Sequence, residues 1–144
     1  MKKSIKIFFI ILAIAFVVTN YMEQYKEQRV TDVIDGDTIK IGYASIRLIG
    51  INAPEKNEEC YKESKELLQE LVLYKKVMLE KDRQDTDDYG RLLRYVYVED
   101  MLVNKEMVRL GMARFEEVGL NKKHSENILE AQEKAQNARR CIWV

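Results

Sequence analysis

The chain has 144 residues, of which 47% are hydrophobic and 33% charged, a balance normal for a folded domain. Its 24 Lys and Arg offset 24 Asp and Glu, for a formal net charge of +0. That excludes a global basic field of the kind that gathers polyanions, so any nucleic-acid chemistry has to rest on local groups.

The N-terminus, MKKSIKIFFIILAIAFVVTNYMEQ, places Lys2, Lys3 and Lys6 before an apolar run from Ile7 to Val18. About a dozen apolar residues suit a signal-peptide h-region and are short for a spanning helix. No A-x-A site follows the run; Ala13-Ile14-Ala15 lies inside it. With Tyr21 and Met22 included and Lys6 snorkelling, the segment stretches towards membrane thickness. Residues 1–23 are therefore expected to be a cleaved signal or an uncleaved anchor. Residues 24–144 would form one exported domain, secreted or held on the outer face of the cytoplasmic membrane. No face of the run is polar, which argues against a core helix. Export bears on Cys60 and Cys141, the two cysteines. They can form one disulfide, worth roughly 4 kcal/mol in the chain-entropy account, or stay as two free thiols. Their spacing does not suit a zinc site.

Beyond residue 28 the pattern divides into a β part and a helical part. RVTDVI and DTIKIG predict two strands joined by a hairpin at Asp35-Gly36. ASIRLIGI predicts a third. EECYKESKELLQELVLY changes to helical spacing at Tyr61, Ser64, Leu67, Leu68, Leu71 and Val72. Lys75 and Lys76 read as a solvated turn. KVMLEK and RLLRYVYV are strands again, with aromatics packed in the core or across strands. VNKEMVRLG predicts a short helix, with Asn104 as its cap and Gly111 just past its end. His124 reads as a surface residue at a helix start. SENILEAQEKAQNARRCIW predicts a last helix with Ser125 before it and a stripe of Ile128, Ala131, Ala135, Ala138 and Ile142. Three strands, a helix, two strands and two helices make a mainly β fold with α. The expected architecture is a five-stranded, partly open OB-fold barrel with three helices, preceded by an N-terminal hydrophobic segment.

Three stretches carry chemistry. In VIDGDT, Asp35 and Asp37 flank a glycine, as a hairpin turn alone would require; two carboxylates so spaced can also converge on a hard cation. The acidic DRQDTDDYG lacks the register of an EF-hand loop and reads as a solvated loop. In RLIGINAPE, Arg47 leads into a strand and Glu55 follows Pro54. DDYGR adds Arg91 after Tyr89 and Gly90. Phosphodiester cleavage needs this set: carboxylates for a metal, a carboxylate base for water, and planar cationic donors for phosphate oxygens.

VIDGDT, RLIGINAPE and YGR, in order and at compatible spacing, with GMAR and the terminal IW, resemble the staphylococcal nuclease family over roughly Val30 to Trp143. The resemblance implies an OB-fold enzyme that uses calcium to hydrolyse DNA and possibly RNA with little sequence specificity, acting as a monomer. It implies that Arg47 and Arg91 clamp phosphate, that Glu55 is the general base and that Tyr89 is a nucleotide contact. It further implies that Asp37 binds Ca2+ directly, with Asp35 acting through water and Asn52 and Ala53 at the remaining positions. The membrane would be a partner only through an uncleaved N-terminal segment. Asn52 and Ala53 stand where the family pattern has an aspartate and a threonine, so one ligand charge is lost and calcium should bind more weakly. Asp88 replaces a lysine, and Glu117 and Gly119 replace an aromatic pair, removing part of a stacking platform. Two rival readings are a non-catalytic OB module that binds single-stranded nucleic acid and a membrane-anchored interaction domain with vestigial acidic loops. Such binding modules typically lose the arginines and the base, which this chain keeps.

Overall fold

The structure, a computed structural model, describes residues 2–24 and 27–144, with side chains for 5–19 and 27–144. Lys2, Lys3, Tyr21 and Met22, which bear on the signal and anchor readings, have side chains outside that set. Residues 25 and 26, at the expected start of the domain, lie outside the described residues. Helix α1 (Lys2–Gln24) contains the apolar run. Its side chains from Ile5 to Thr19 are all exposed, so the run is no part of the core. Among the described residues, no helix is long and apolar enough to cross a membrane.

The first strand of the domain changes partners halfway. β1 (Gln28–Arg29) pairs antiparallel with β6 (Lys76–Glu80), whereas β2 (Asp32–Val33) pairs antiparallel with β3 (Thr38–Ile41). At the switch, the buried Val30 donates to Lys75 O, while Thr31 donates to Lys40 O on the other side. β4 (Ala44–Leu48) pairs antiparallel with β3 and parallel with β7 (Leu92–Val98), and β7 pairs antiparallel with β6. The order β1-β6-β7-β4-β3-β2 thus begins and ends on residues 28–33. The sheet curls until one segment serves both edges, which is the partly open barrel the sequence predicts. β8 (Met101–Leu102) extends β7, and β5 (Ile51–Asn52) pairs with β9 (Arg114–Phe115) in a separate ladder. These two-residue strands are too short to show a period in sequence.

Apolar residues from the strands, including Ile39, Ile46, Leu48, Val77, Leu93 and Tyr95, fill the barrel. Helix α2 (Tyr61–Val72) buries Ser64, Leu68 and Val72, one stripe at the expected spacing. Helix α3 (Val103–Arg109) buries Met107 and Val108, and α4 (Ser125–Asn137) buries Ile128, Ala131 and Ala135. Truncating Leu68 or Ile128 to Ala should destabilise by about 2–5 kcal/mol.

Four expectations need correction. Asn104 does not cap α3: it is fully buried, accepts from Val96 N–H and donates to Ile49 O and Arg94 O. It therefore stitches β7 to the turn that ends β4. The last helix stops at Asn137, not at the C-terminus. Arg139 and Cys141 take left-handed backbone (φ 46 and φ 34), and Cys141–Trp143 form a 3-10 turn. The chain turns there because Cys141 is bonded to Cys60, 81 residues away in sequence. The thiols are thus not free, and the C-terminal segment is strapped to the start of α2. His124 stands at the start of α4 as expected, but its side chain is largely covered. Its Nε2 lies 2.7 Å from Glu80 and 3.0 Å from the Tyr97 hydroxyl, and its ring packs edge-on against Tyr95.

Candidate active site

The loop between β2 and β3 carries Asp35 and Asp37. Ile34 N–H donates to Thr38 O, closing it as a hairpin loop. Gly36 is needed for proximity: an added Cβ would lie 1.9 Å from Ser64 Oγ on α2 and 2.7 Å from Ala53 Cβ. Packing therefore presses this loop against the barrel end, and Asp37 is buried there. Asp37 N–H donates to Asp35 Oδ1 (3.1 Å), which fixes the relative direction of the two residues.

Asp37 is the hub. Its Oδ2 accepts from Ala53 N–H at 2.8 Å and pairs with Arg47 Nη2 at 3.3 Å; its Oδ1 accepts from the Thr38 hydroxyl at 2.9 Å. Burial pushes its carboxyl up. Arg47 pulls it down, Asp35 pushes it up again, and the hydrogen bonds from Ala53 and Thr38 do not restore the balance. The net position is about 6, against an ordinary 3.8. A carboxylate this destabilised as an anion is a place where added positive charge gains free energy.

Arg47 is buried at the end of β4, opposite Thr38 in register. Nη1 donates to its own neighbour's carbonyl, Leu48 O, at 3.0 Å. Nη2 faces three oxygens from three elements: Asp37 Oδ2 at 3.3 Å, Asn52 Oδ1 at 3.3 Å and Glu116 Oε2 at 3.6 Å.

Arg91 approaches from the other side. The acidic loop that the sequence suggested was merely solvated is what holds it. Asp87 Oδ1 accepts from Tyr89 N–H and Arg91 N–H, while Oδ2 accepts from Arg91 Nε at 2.7 Å. Gly90 takes φ 76 to close the turn. Burial pushes the Asp87 carboxyl up, but the Arg91 hydrogen bonds outweigh it and hold it below the usual range. With Nε occupied, the outer edge of the guanidinium remains; Nη1 reaches Thr38 Oγ1 at 3.4 Å. A chain of contacts therefore runs from Arg91 through Thr38 to Asp37 and Arg47. Tyr89 stands 86% exposed, with its ring 5.5 Å from Arg91 Cζ. Arg47, Arg91, Tyr89, Asp87, Asp88, Leu93, Glu116 and Val118 line one cleft of about 180 Å³.

Glu55 is not joined to this network. It follows buried Pro54 on the loop after β5, and its side chain is exposed. Its N–H donates to Glu58 Oε2 and its carbonyl accepts from Glu58 N–H, both at 2.8 Å. Among the described residues, its carboxylate has no bond to Arg47, Arg91 or Asp37. The loop is held on its far side, where Pro54, Glu58, Glu59, Arg114 and Ile142 line a groove of about 280 Å³ beside the disulfide.

Asp35, Asp37 and Asn52 therefore bring side-chain oxygens, the donor type calcium takes, to one network around Arg47, while Ala53 joins it through its N–H on Asp37. Among the described residues, no three His, Cys, Asp or Glu side chains form a metal-binding group. Asn52 adds a neutral oxygen, which accepts from Arg47 Nη2 at 3.3 Å. The raised Asp37 carboxyl is the observation that makes the set fit a cation. Thr38, Asp87 and Glu116 were missed as site residues. Thr38 was visible within VIDGDT; Asp87 was hidden in an acidic run, and Glu116 lies just past β9, a strand too short to read.

A model of the staphylococcal nuclease homologue family matches residues 45–144. The chain is 34% identical over 125 residues to a thermonuclease of Staphylococcus hyicus, covering 80% of this chain and 74% of that one. It is 35% identical over 121 residues to a thermonuclease of Staphylococcus intermedius, covering 77% and 72%. An uncharacterized endonuclease of Haemophilus influenzae is 38% identical over 122 residues, covering 81% and 65%.

Proposed function

The chain belongs to the staphylococcal nuclease family and is a phosphodiester-hydrolysing endonuclease, and from that premise we propose that it is an exported, calcium-dependent enzyme acting on DNA and also on RNA with little sequence preference. The observation that carries this reading is the contact chain from Asp37 through Arg47 and Thr38 to Arg91 at one cleft. A phosphate seated there meets two guanidiniums, whose planar forks suit its oxygens. Exposed Tyr89 lines the cleft, and its ring can stack on any base, which suits binding without sequence preference.

In the mechanism, Asp37 and Asp35, with the oxygens of Asn52 and Ala53, would hold calcium. Calcium there would neutralise a non-bridging phosphate oxygen and polarise water. Glu55, exposed on the loop after β5, would take a proton from the attacking water as the water's oxygen bonds to phosphorus. The ester P–O bond breaks, and the departing oxygen takes a proton from solvent water. Arg47 and Arg91 hold the equatorial oxygens as charge builds on them.

Export is supported by the lysines ahead of the apolar helix and by the Cys60–Cys141 bond, which persists in oxidising compartments. Digestion of plasmid and single-stranded DNA by the full chain, with calcium and with EDTA, tests the proposal. Cleavage with calcium and none with EDTA is expected; cleavage indifferent to EDTA would overturn the calcium assignment. Fractionation of producing cells should place the protein outside the cytoplasm.

A further inference from the structure

The three oxygens around Arg47 Nη2 are not equivalent. Asp37 is buried and fixed by Thr38 and Ala53. Asn52 lies in the β5–β9 ladder. Glu116 has its main chain fixed and its side chain half-exposed. Its N–H donates to Gly50 O at 3.1 Å, continuing that ladder by one residue. Its carboxylate is 52% exposed, and Arg47 is its ion-pair partner. The Arg47 side chain is only 9% exposed, and its Nη1 is committed to Leu48 O. The open approach to Arg47 is thus the cleft, and Glu116 lines that cleft. Arg91 has a counter-charge too, but Asp87 is bound into its own turn by two backbone N–H groups and cannot leave without opening it.

We propose that Glu116 is a resident competitor for substrate phosphate: its carboxylate occupies the outer edge of Arg47 in the empty cleft and swings into solvent when a nucleic-acid phosphodiester arrives. This rests on the reading of Arg47 as a phosphate clamp. The device favours polyanions over small anions. A strand that also engages Arg91 can displace a tethered carboxylate, whereas a lone inorganic phosphate gains too little to do so.

The test is binding of a fluorescent single-stranded oligothymidylate to the full chain in EDTA, where the proposed calcium-dependent cleavage is off. Wild type is compared with Glu116→Gln, Glu117→Gln, Arg47→Gln and the Glu116→Gln/Arg47→Gln double variant. Glu117 is the control for charge alone, because it pairs with Lys122 at 3.1 Å. Glu116→Gln should bind about two- to five-fold tighter, the scale of a half-exposed ion pair. Glu117→Gln should match wild type, and the gain should vanish without Arg47. Inorganic phosphate should compete better in Glu116→Gln than in wild type. With calcium, KM should fall and kcat hold. Unchanged or weaker binding by Glu116→Gln, beside a weakened Arg47→Gln, would overturn the role of Glu116 alone. Wild-type binding by Arg47→Gln would overturn the clamp reading and the proposal with it. An equal gain in Glu117→Gln would reduce the effect to net charge. Weaker calcium binding by Glu116→Gln in calorimetry would make it a metal ligand and contradict the proposal.

Discussion

Asp37 and Glu80 are both carboxylates with nearly covered side chains, 9% and 12% exposed, yet their surroundings treat them oppositely. Burial pushes the Glu80 carboxyl up, but bonds from Lys123, His124 and Tyr97 outweigh it and hold it below the usual range. Burial also pushes Asp37 up, and there Arg47 does not win against burial and Asp35 together, so the carboxyl sits near 6. The Glu80 cluster is closed on itself and ties β6 and β7 to the start of α4. The Asp37 cluster is left short of positive charge. A fold that can satisfy one buried carboxylate and leaves another under-compensated marks the second as the place where something binds.

The largest expected effect breaks the symmetry between these carboxylates and the exposed one. Glu55→Gln should lower kcat by a factor on the order of 10² or more while melting temperature holds, because among the described residues the Glu55 side chain makes no bond. Full turnover in that variant would remove it from the mechanism. Next come the two arginines. Arg47→Lys and Arg91→Lys keep the charge and lose the fork, so each should lower kcat by roughly 10² with little change in KM. The double variant should fall by less than the product, since both residues act on one phosphate. Lys variants that alter KM alone would assign the arginines to ground-state binding.

A smaller effect is expected at the closed cluster, where Glu80→Gln should destabilise by about 1–2 kcal/mol and leave kcat unchanged. Because its folded carboxyl is lowered, the stability from Glu80 is present above its ordinary 4.5 and is lost as pH falls through the lowered value. Chemical denaturation of the two proteins from pH 7 to pH 3 measures both points; a kcat defect would mean the clusters are not separate. The smallest effect sharpens the Asp37 side. Asn52→Asp adds a charge beside Asp37 and should lower half-saturating calcium by a few-fold. An unchanged value would place residue 52 outside the metal site.

The barrel was legible because β3, β4, β6 and β7 are short runs rich in β-forming residues and α2 carries a clear stripe. Asp37, Arg47 and Arg91 were legible because their motifs resemble a known family; the structure pairs Asp37 with Arg47 and links Arg91 to them through Thr38. What was illegible shares one cause, dependence on distant partners. Cys60 and Cys141 meet only because the last helix stops early. His124 does stand at the start of α4, but its part-buried contacts with Glu80 and Tyr97 depend on distant strands. Asn104 has the residue type of a cap and is used to join strands. Gly36 suggests a turn glycine, whereas its position is dictated by Ser64 on α2. Glu116 enters the site through a ladder of two residues per strand.

The central claim is that Asp37 is under-compensated until a cation binds. The most direct measurement is titration of the Asp37 carboxyl by carbon-13 NMR, with and without saturating calcium. Without calcium it should titrate near 6, so the cost of its ionisation enters as pH rises from about 3.8 through about 6 and metal-free stability falls across that window. With calcium the midpoint should drop well below 6, and calcium affinity should weaken as pH falls below it. A midpoint near 4 without calcium, or one that calcium does not move, would contradict the account.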